Sequence, residues 1–187
     1  MTPIPGILSQ ILPHKQSSNS VAYYVPNVGL VLLHPFLPTF FRAIGWVEGD
    51  RFVDEARQLQ APALLHFLAT GEEDAAEYDL LFAKFLCGIG LETPLPRVSA
   101  LPETVRAEAE RMLLVVVGHW SKLGSTSPDG LRNGFLRRPG KLTNHPFDGW
   151  LLQPEQSGLD VLLRFLPWGI GMLRLPWMGD LLRVEWE

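Results

Sequence analysis

The chain has 187 residues, of which 47% are hydrophobic and only 19% charged, with a net charge of −4 and one cysteine. That length supports a core hiding roughly 70% of the unfolded surface, the lone Cys87 excludes an internal disulfide, and the acidic balance with scattered Lys and Arg argues against nucleic acid as a partner. No membrane span is expected either, because the longest apolar stretch, Val28 to Phe41, is broken by His34, Pro35 and Pro38 and falls short of the ~20 residues required.

In chain order, residues 1 to 20 hold three prolines, four serines and no acidic residue, which reads as a flexible leader. The Met1-Thr2-Pro3-Ile4-Pro5 start has no basic region typical of a secretory signal. Val21 to Val25 suits a short extended entry, and Gly29 to Leu33 a helical turn stopped by His34-Pro35. Pro38 sits well at the start of a helix to Ile44 that Gly45 closes. Asp54 can cap a helix to Ala69 with Gly71 as its stop, and Pro62 should kink or split it.

The acidic run Glu72-Glu73-Asp74 is expected at the start of the next helix. There Tyr78, Leu81, Phe82, Phe85 and Leu86 recur at helical spacing until Gly88. A stiff connector with Pro94, Pro96 and Pro102 follows. The clearest helix is Pro102 to Leu123, with Val105, Ala109, Met112, Leu113, Val116, Val117, Trp120 and Leu123 on its buried face. Ser127-Pro128 opens a short helix to Arg138 with Leu131 and Phe135 inward, and Arg137-Arg138 reads as its solvated end.

Past Gly140 the pattern changes to extended segments. Lys141 to Thr143 and Trp150 to Gln153 read as strands joined through an Asp148-Gly149 turn, with Pro154 confining the second strand to an edge or its own end. Leu159 to Phe165 is a short helix, and Ile170 to Leu175 and Leu181 to Trp186 are extended. The expected fold class is α+β: a predominantly helical part over about 27–138 and a small C-terminal antiparallel β element over about 140–187, together one globular domain over 21–187.

Chemistry is scarce. His14, His34, His66, His119 and His145 show no i,i+3 or i,i+4 pair and no second Cys joins them, so no metal site is expected. Lone histidines in apolar runs, such as His34 and His119, are read as satisfied core or boundary residues. Cys87 at a helix end reads as a small buried side chain. The Gly124-Ser125-Thr126-Ser127 run lacks the strand–elbow context of a serine nucleophile and is read as a linker with a helix cap. Adjacent exposed carboxylates at Glu72, Glu73 and Asp74 do not supply the raised pKa that acid catalysis needs. No catalytic residue and no cofactor site is expected.

The most informative segment is the terminus. Leu166-Pro167-Trp168 returns nine residues later as Leu175-Pro176-Trp177, and the chain closes on Val184-Glu185-Trp186. Each indole buries a large surface and needs a partner for its N–H, and each proline fixes the backbone, so this tail is expected to be docked. Trp168, Trp177 and Trp186, with Arg164, Arg174 and Arg183 three or four residues before them, are the interface candidates: either side-chain volume for the core, or anchors on a partner, since Trp and Arg dominate binding hot spots. The arginines could stack on the indoles or meet a partner's carboxylates.

These residues also carry a resemblance. Phe165 to Ile170, Arg174 to Met178 and Leu182 to Trp186, with upstream blocks Asn27 to Pro38, Leu68 to Glu73, Leu86 to Gly88, Leu91 to Pro96, His119-Trp120, Asp129 to Arg132 and Gly140 to Leu142, resemble in this order the contractile injection system tape measure proteins. The resemblance implies a structural component of a phage-tail-like particle that sets or terminates tube length, and not an enzyme. It also implies tube, baseplate-hub or spike, or cap proteins as partners, and a homo-oligomer following the tube's symmetry. Such a component would be made in the bacterial cytoplasm and then enter the particle. Family members are usually much longer, and even a continuous helix of this length spans at most roughly 280 Å. The chain therefore reads as a compact terminal module or a short relative that caps or anchors. The alternative is a soluble adaptor or chaperone that binds cargo or another component without measuring.

Overall fold

The computed structural model describes residues 19–97 and 99–186, so the leader reading falls almost wholly outside the described residues. The first strand, β1 (Val21–Val25), leads through a buried 3-10 turn at Val28–Leu33 into α1 (Leu37–Ala43). A two-residue hairpin, β2 (Val47–Glu48) and β3 (Arg51–Phe52), then precedes α2 (Glu55–Thr70). That hairpin was not anticipated; its signal is the Gly49-Asp50 pair between apolar residues.

α2 opens where expected: the Asp54 carboxylate accepts from the Arg57 backbone N–H at 2.7 Å, and Gly71 ends it. It is not split at Pro62, contrary to expectation. Pro62 deprives the Gln58 carbonyl of its helical donor, an effect worth about 3 kcal/mol. Every residue from Ala61 to Ala69 is buried, however, and Leu64, Leu65 and Leu68 are completely inaccessible. Burial at about 1.5–3 kcal/mol for each of those leucines outweighs the proline.

The acidic run does not start the next helix. A 3-10 turn at Glu77–Leu80 leads into α3 (Leu81–Leu86), and Glu72 and Glu73 lie in the preceding loop. There they meet cations instead: Arg137 at 3.0 Å and Arg106 at 2.8 Å respectively. Of the expected α3 stripe, Phe82, Phe85 and Leu86 are buried, while Tyr78 is exposed. Lys84 is fully buried on the same helix, donating to Glu77 at 2.9 Å and to the Leu91 and Thr93 carbonyls. Its ammonium holds the Glu77 carboxyl below the usual range.

The long helix, α4 (Glu103–His119), buries all eight residues assigned to its inner face, including Trp120 and Leu123 just beyond its end. It stops earlier than expected, at His119, and Ser121–Leu123 continues as a 3-10 turn. His119, read as a core or boundary residue, is exposed, with its ring 5.6 Å from that of Phe36. After α5 (Pro128–Leu131), capped by the Ser127 hydroxyl, a π-helical turn runs over Arg132–Leu136.

β4 (Gly140–His145) and β5 (Gly149–Pro154) form the expected hairpin. A 3-10 helix at Gly158–Phe165 follows, then β6 (Met172–Leu173) and β7 (Leu182–Val184). The fold class is α+β, but the sheet is larger and more mixed than a C-terminal antiparallel element. It has five strands in the order β1-β4-β5-β7-β6, takes in the N-terminal β1, and pairs β5 with β7 in parallel. A parallel pair needs a crossover. Here the crossover carries the 158–165 helix and the first Leu-Pro-Trp, while the β6–β7 connection carries the second. One face of the sheet supplies Val25, Leu142, Leu152, Leu182 and Val184 to a buried cluster that continues through α2, α3 and α4.

Candidate functional site: the docked tail

Residues 166–186 meet the body at three places, each marked by one indole. Trp168 donates from Nε1 to the Leu32 carbonyl at 3.0 Å, and its ring meets Phe36 edge-on at 5.0 Å. His34 Nε2 lies 2.9 Å from the Gly169 carbonyl beside it. A carbonyl can only accept, so Nε2 carries the proton and donates it; burial lowers the His34 pKa, partly offset by that bond. The first Leu-Pro-Trp is thus held on the 28–33 turn that His34-Pro35 terminates.

Trp177 Nε1 donates to the Leu86 carbonyl at 2.8 Å, capping the end of α3, and the ring packs between Phe41 at 5.5 Å and Phe52 at 5.1 Å. Leu175 and Met178 on either side are buried. The close approach depends on Gly88, whose φ is +69° and where a Cβ would stand 2.6 Å from the Trp177 carbonyl oxygen. A glycine serves two purposes here, stopping α3 and admitting the tail. Cys87, adjacent to it, is fully buried, and burial pushes its thiol pKa well above the ordinary value, so it packs as a small apolar group.

Trp186 Nε1 donates to Asp160 Oδ2 at 3.1 Å. Asp160 also receives Arg138 at 2.9 and 3.0 Å and the Ser157 backbone N–H at 2.9 Å, completing a capping box at the start of the 158–165 helix. The Arg138 guanidinium lies over the Trp186 ring at 5.3 Å and donates to the Glu155 and Gly134 carbonyls. Arg138 is therefore buried, not the solvated helix end expected. A second buried arginine, Arg132, joins the Leu68 carbonyl of α2 to Glu110 of α4 and Asp129 of α5. Sequence reasoning missed both nodes, although Ser157-x-x-Asp160 is capping-box spacing and was there to be read.

All three candidate tryptophans are half-buried, with their N–H groups satisfied within the chain. The three candidate arginines do not stack on them. Arg164 and Arg174 are exposed and Arg183 is half-buried, and among the described residues none forms an ion pair. Two open grooves flank the tail. One, of about 730 Å³, lies between Trp177, Pro176 and the Asp50–Gln58 segment. The other, of about 690 Å³, is lined by Arg164, Val161, Ile170 and Trp186. Among the described residues no cluster of His, Cys, Asp or Glu could hold a metal ion, and no helix is long and apolar enough to cross a membrane.

A family model described as contractile injection system tape measure protein matches residues 7–186, nearly the whole chain. No curated protein and no solved structure matches it.

Proposed function

This chain belongs to the contractile injection system tape measure protein family, a family of structural components and not of enzymes, and from that premise we propose that it sets or terminates tube length by anchoring. Membership implies contact with other components of the injection particle. In the proposed reading, residues 21–187 act as one folded, non-catalytic module assembled in the bacterial cytoplasm. Its C-terminal tail presents a rigid surface to tube, baseplate-hub or spike, or cap proteins. The observation that carries this reading is the family match together with the way the tail is held.

Three indole N–H bonds fix the tail at residues 32, 86 and 160, so the half-exposed ring faces and the exposed Arg164 and Arg174 stand on a pre-ordered surface. Pre-ordering removes part of the entropy cost of association. Removing residues 165–187 would also remove the internal bonds, so point changes are the sharper test. Arg164→Glu with Arg174→Glu should leave thermal unfolding unchanged while lowering incorporation into particles and broadening the tube-length distribution seen by electron microscopy. Normal incorporation with an unchanged length distribution counts against anchoring through the tail. Loss of a cargo protein from particles of normal length would instead favour the adaptor reading.

A further inference from the structure

The five-stranded sheet has a second face, to which the tail itself contributes Met172 and Arg183. Side chains alternate across a strand, so the residues opposite Val25, Leu142, Leu152, Leu182 and Val184 point the other way. The register places Thr143, Leu151, Arg183 and Met172 in one row across four strands, with Tyr24 and Lys141 paired in the next row. None of these six belongs to the buried cluster, although Thr143 and Leu151 in the middle of the row are themselves closed off by their neighbours. Tyr24 at one edge is 80% exposed and Met172 at the other 58%.

Two cations lie on this face without an ion-pair partner among the described residues, although Glu185 stands on the same face beside Gln153. Among the described residues neither Lys141 nor Arg183 forms an ion pair or a side-chain hydrogen bond, and the Arg183 Nε is buried with no acceptor. The nearest carboxylate in sequence, Glu185, accepts from the Gln153 amide at 3.0 Å. Residues 1–18 contain no Asp or Glu and cannot supply a side-chain carboxylate. A buried donor without an acceptor is unfavourable, and a guanidinium is best completed by a carboxylate.

The size of the face decides what kind of partner fits. Five strands about 4.8 Å apart and two side-chain rows about 7 Å apart give roughly 24 by 14 Å, on the order of 340 Å². A stable two-copy interface needs about 800 Å² from each partner. One helix, about 10–12 Å across, fills such a face when its own subunit is held elsewhere. We propose that this sheet face docks a carboxylate-bearing amphipathic helix of another component of the particle. Its acidic side chain meets Arg183 and Lys141, and its apolar side chains rest on Tyr24 and Met172. The inference rests on membership in the particle but not on anchoring by the tail.

Carbodiimide treatment of purified particles, which joins an amine to a contacting carboxylate, tests it by peptide mass spectrometry. Lys141 is expected to link to an Asp or Glu of a different particle protein, and Lys141→Arg to abolish that link while retaining incorporation. Arg183→Glu with Lys141→Glu should reduce incorporation about tenfold without lowering the melting temperature of the isolated chain. Links from Lys141 only to Glu185 or Glu187 of its own chain overturn the proposal, as does undiminished incorporation of the double variant. A link to a second, isotopically labelled copy overturns it in favour of self-association. If the chain is absent from particles and from their assembly intermediates, both this proposal and tail anchoring fail. If it is present and sensitive only to the Arg164 and Arg174 changes, the sheet-face proposal alone fails.

Discussion

Replacing Asp160 by alanine is the most searching test of how the tail is held. The carboxylate is only 9% exposed, accepts two bonds from Arg138, one from the Trp186 indole and one from the Ser157 backbone, and is the sole anion paired with Arg138 among the described residues. Its removal leaves a guanidinium at 8% exposure without a counter-charge, a loss of about 3–5 kcal/mol. For a chain of this size each kcal/mol shifts the melting temperature by about 2–4 °C, so the transition should fall by roughly 6–20 °C. Arg138→Met, paired with Asp160→Ala, should recover much of this, because the buried charge disappears with its partner. Urea unfolding of the four proteins, followed by circular dichroism, gives the coupling directly, expected near 2 kcal/mol. If the two substitutions add to within about 0.5 kcal/mol, or Asp160→Ala costs under about 1 kcal/mol, the node does not hold the tail.

Gly88→Val should detach the second Leu-Pro-Trp, since the +69° φ and the 2.6 Å approach of the Trp177 carbonyl both exclude a side chain. Faster hydrogen exchange confined to residues 174–179 and the end of α3 would register that, and unchanged protection would contradict it. Gly29→Ala should prevent folding altogether, because its Cβ would fall 2.0 Å from the Phe135 carbonyl oxygen, a backbone atom with no side-chain freedom to move aside; a soluble variant with a normal unfolding transition would refute the packing there. Stability should also fall in acid through His66. Burial lowers its pKa, the carboxylates of Asp79 and Glu72 and the Asp74 backbone oppose this, and Arg137 adds to it. A depressed histidine pKa means the unfolded chain binds more protons, so this stability is complete above about pH 6.5 and is lost as the pH falls below it. His66→Leu should flatten that part of the urea-midpoint profile, and an unaltered acid slope would assign it to other groups.

What was legible in the sequence were features fixed by local chemistry. Asp54 and Ser127 cap the helices they precede, Gly71 and Gly88 end them, and the spacing on α4 marks all eight inward residues. What was not legible depended on partners distant in the chain. Pro62 is a helix breaker in isolation, and only the surrounding leucines override it. Arg138 looks like a surface doublet until Asp160, 22 residues on, is placed against it. The pairing of Val21–Val25 with β4 joins segments more than a hundred residues apart, and no local pattern specifies it. For the candidate site, the need of each indole for an acceptor was readable, but which carbonyl supplies it was not.

That asymmetry bears on how the tail can serve an assembly. The indole N–H groups, the directional part of each tryptophan, already donate to Leu32, Leu86 and Asp160. A partner can therefore use the ring faces and neighbouring charges on that surface, but no indole hydrogen bond. Register would have to come from paired charges, and Arg164, Arg174 and Arg183 are among the cations near the tail without an ion-pair partner among the described residues. Arg183 differs from the other two because it is half-buried on the sheet face and its Nε has no acceptor among the described residues. In the anchoring proposed above, the tail stays rigid through its own hydrogen bonds, while orientation against a neighbour would fall to guanidinium groups without an ion-pair partner among the described residues.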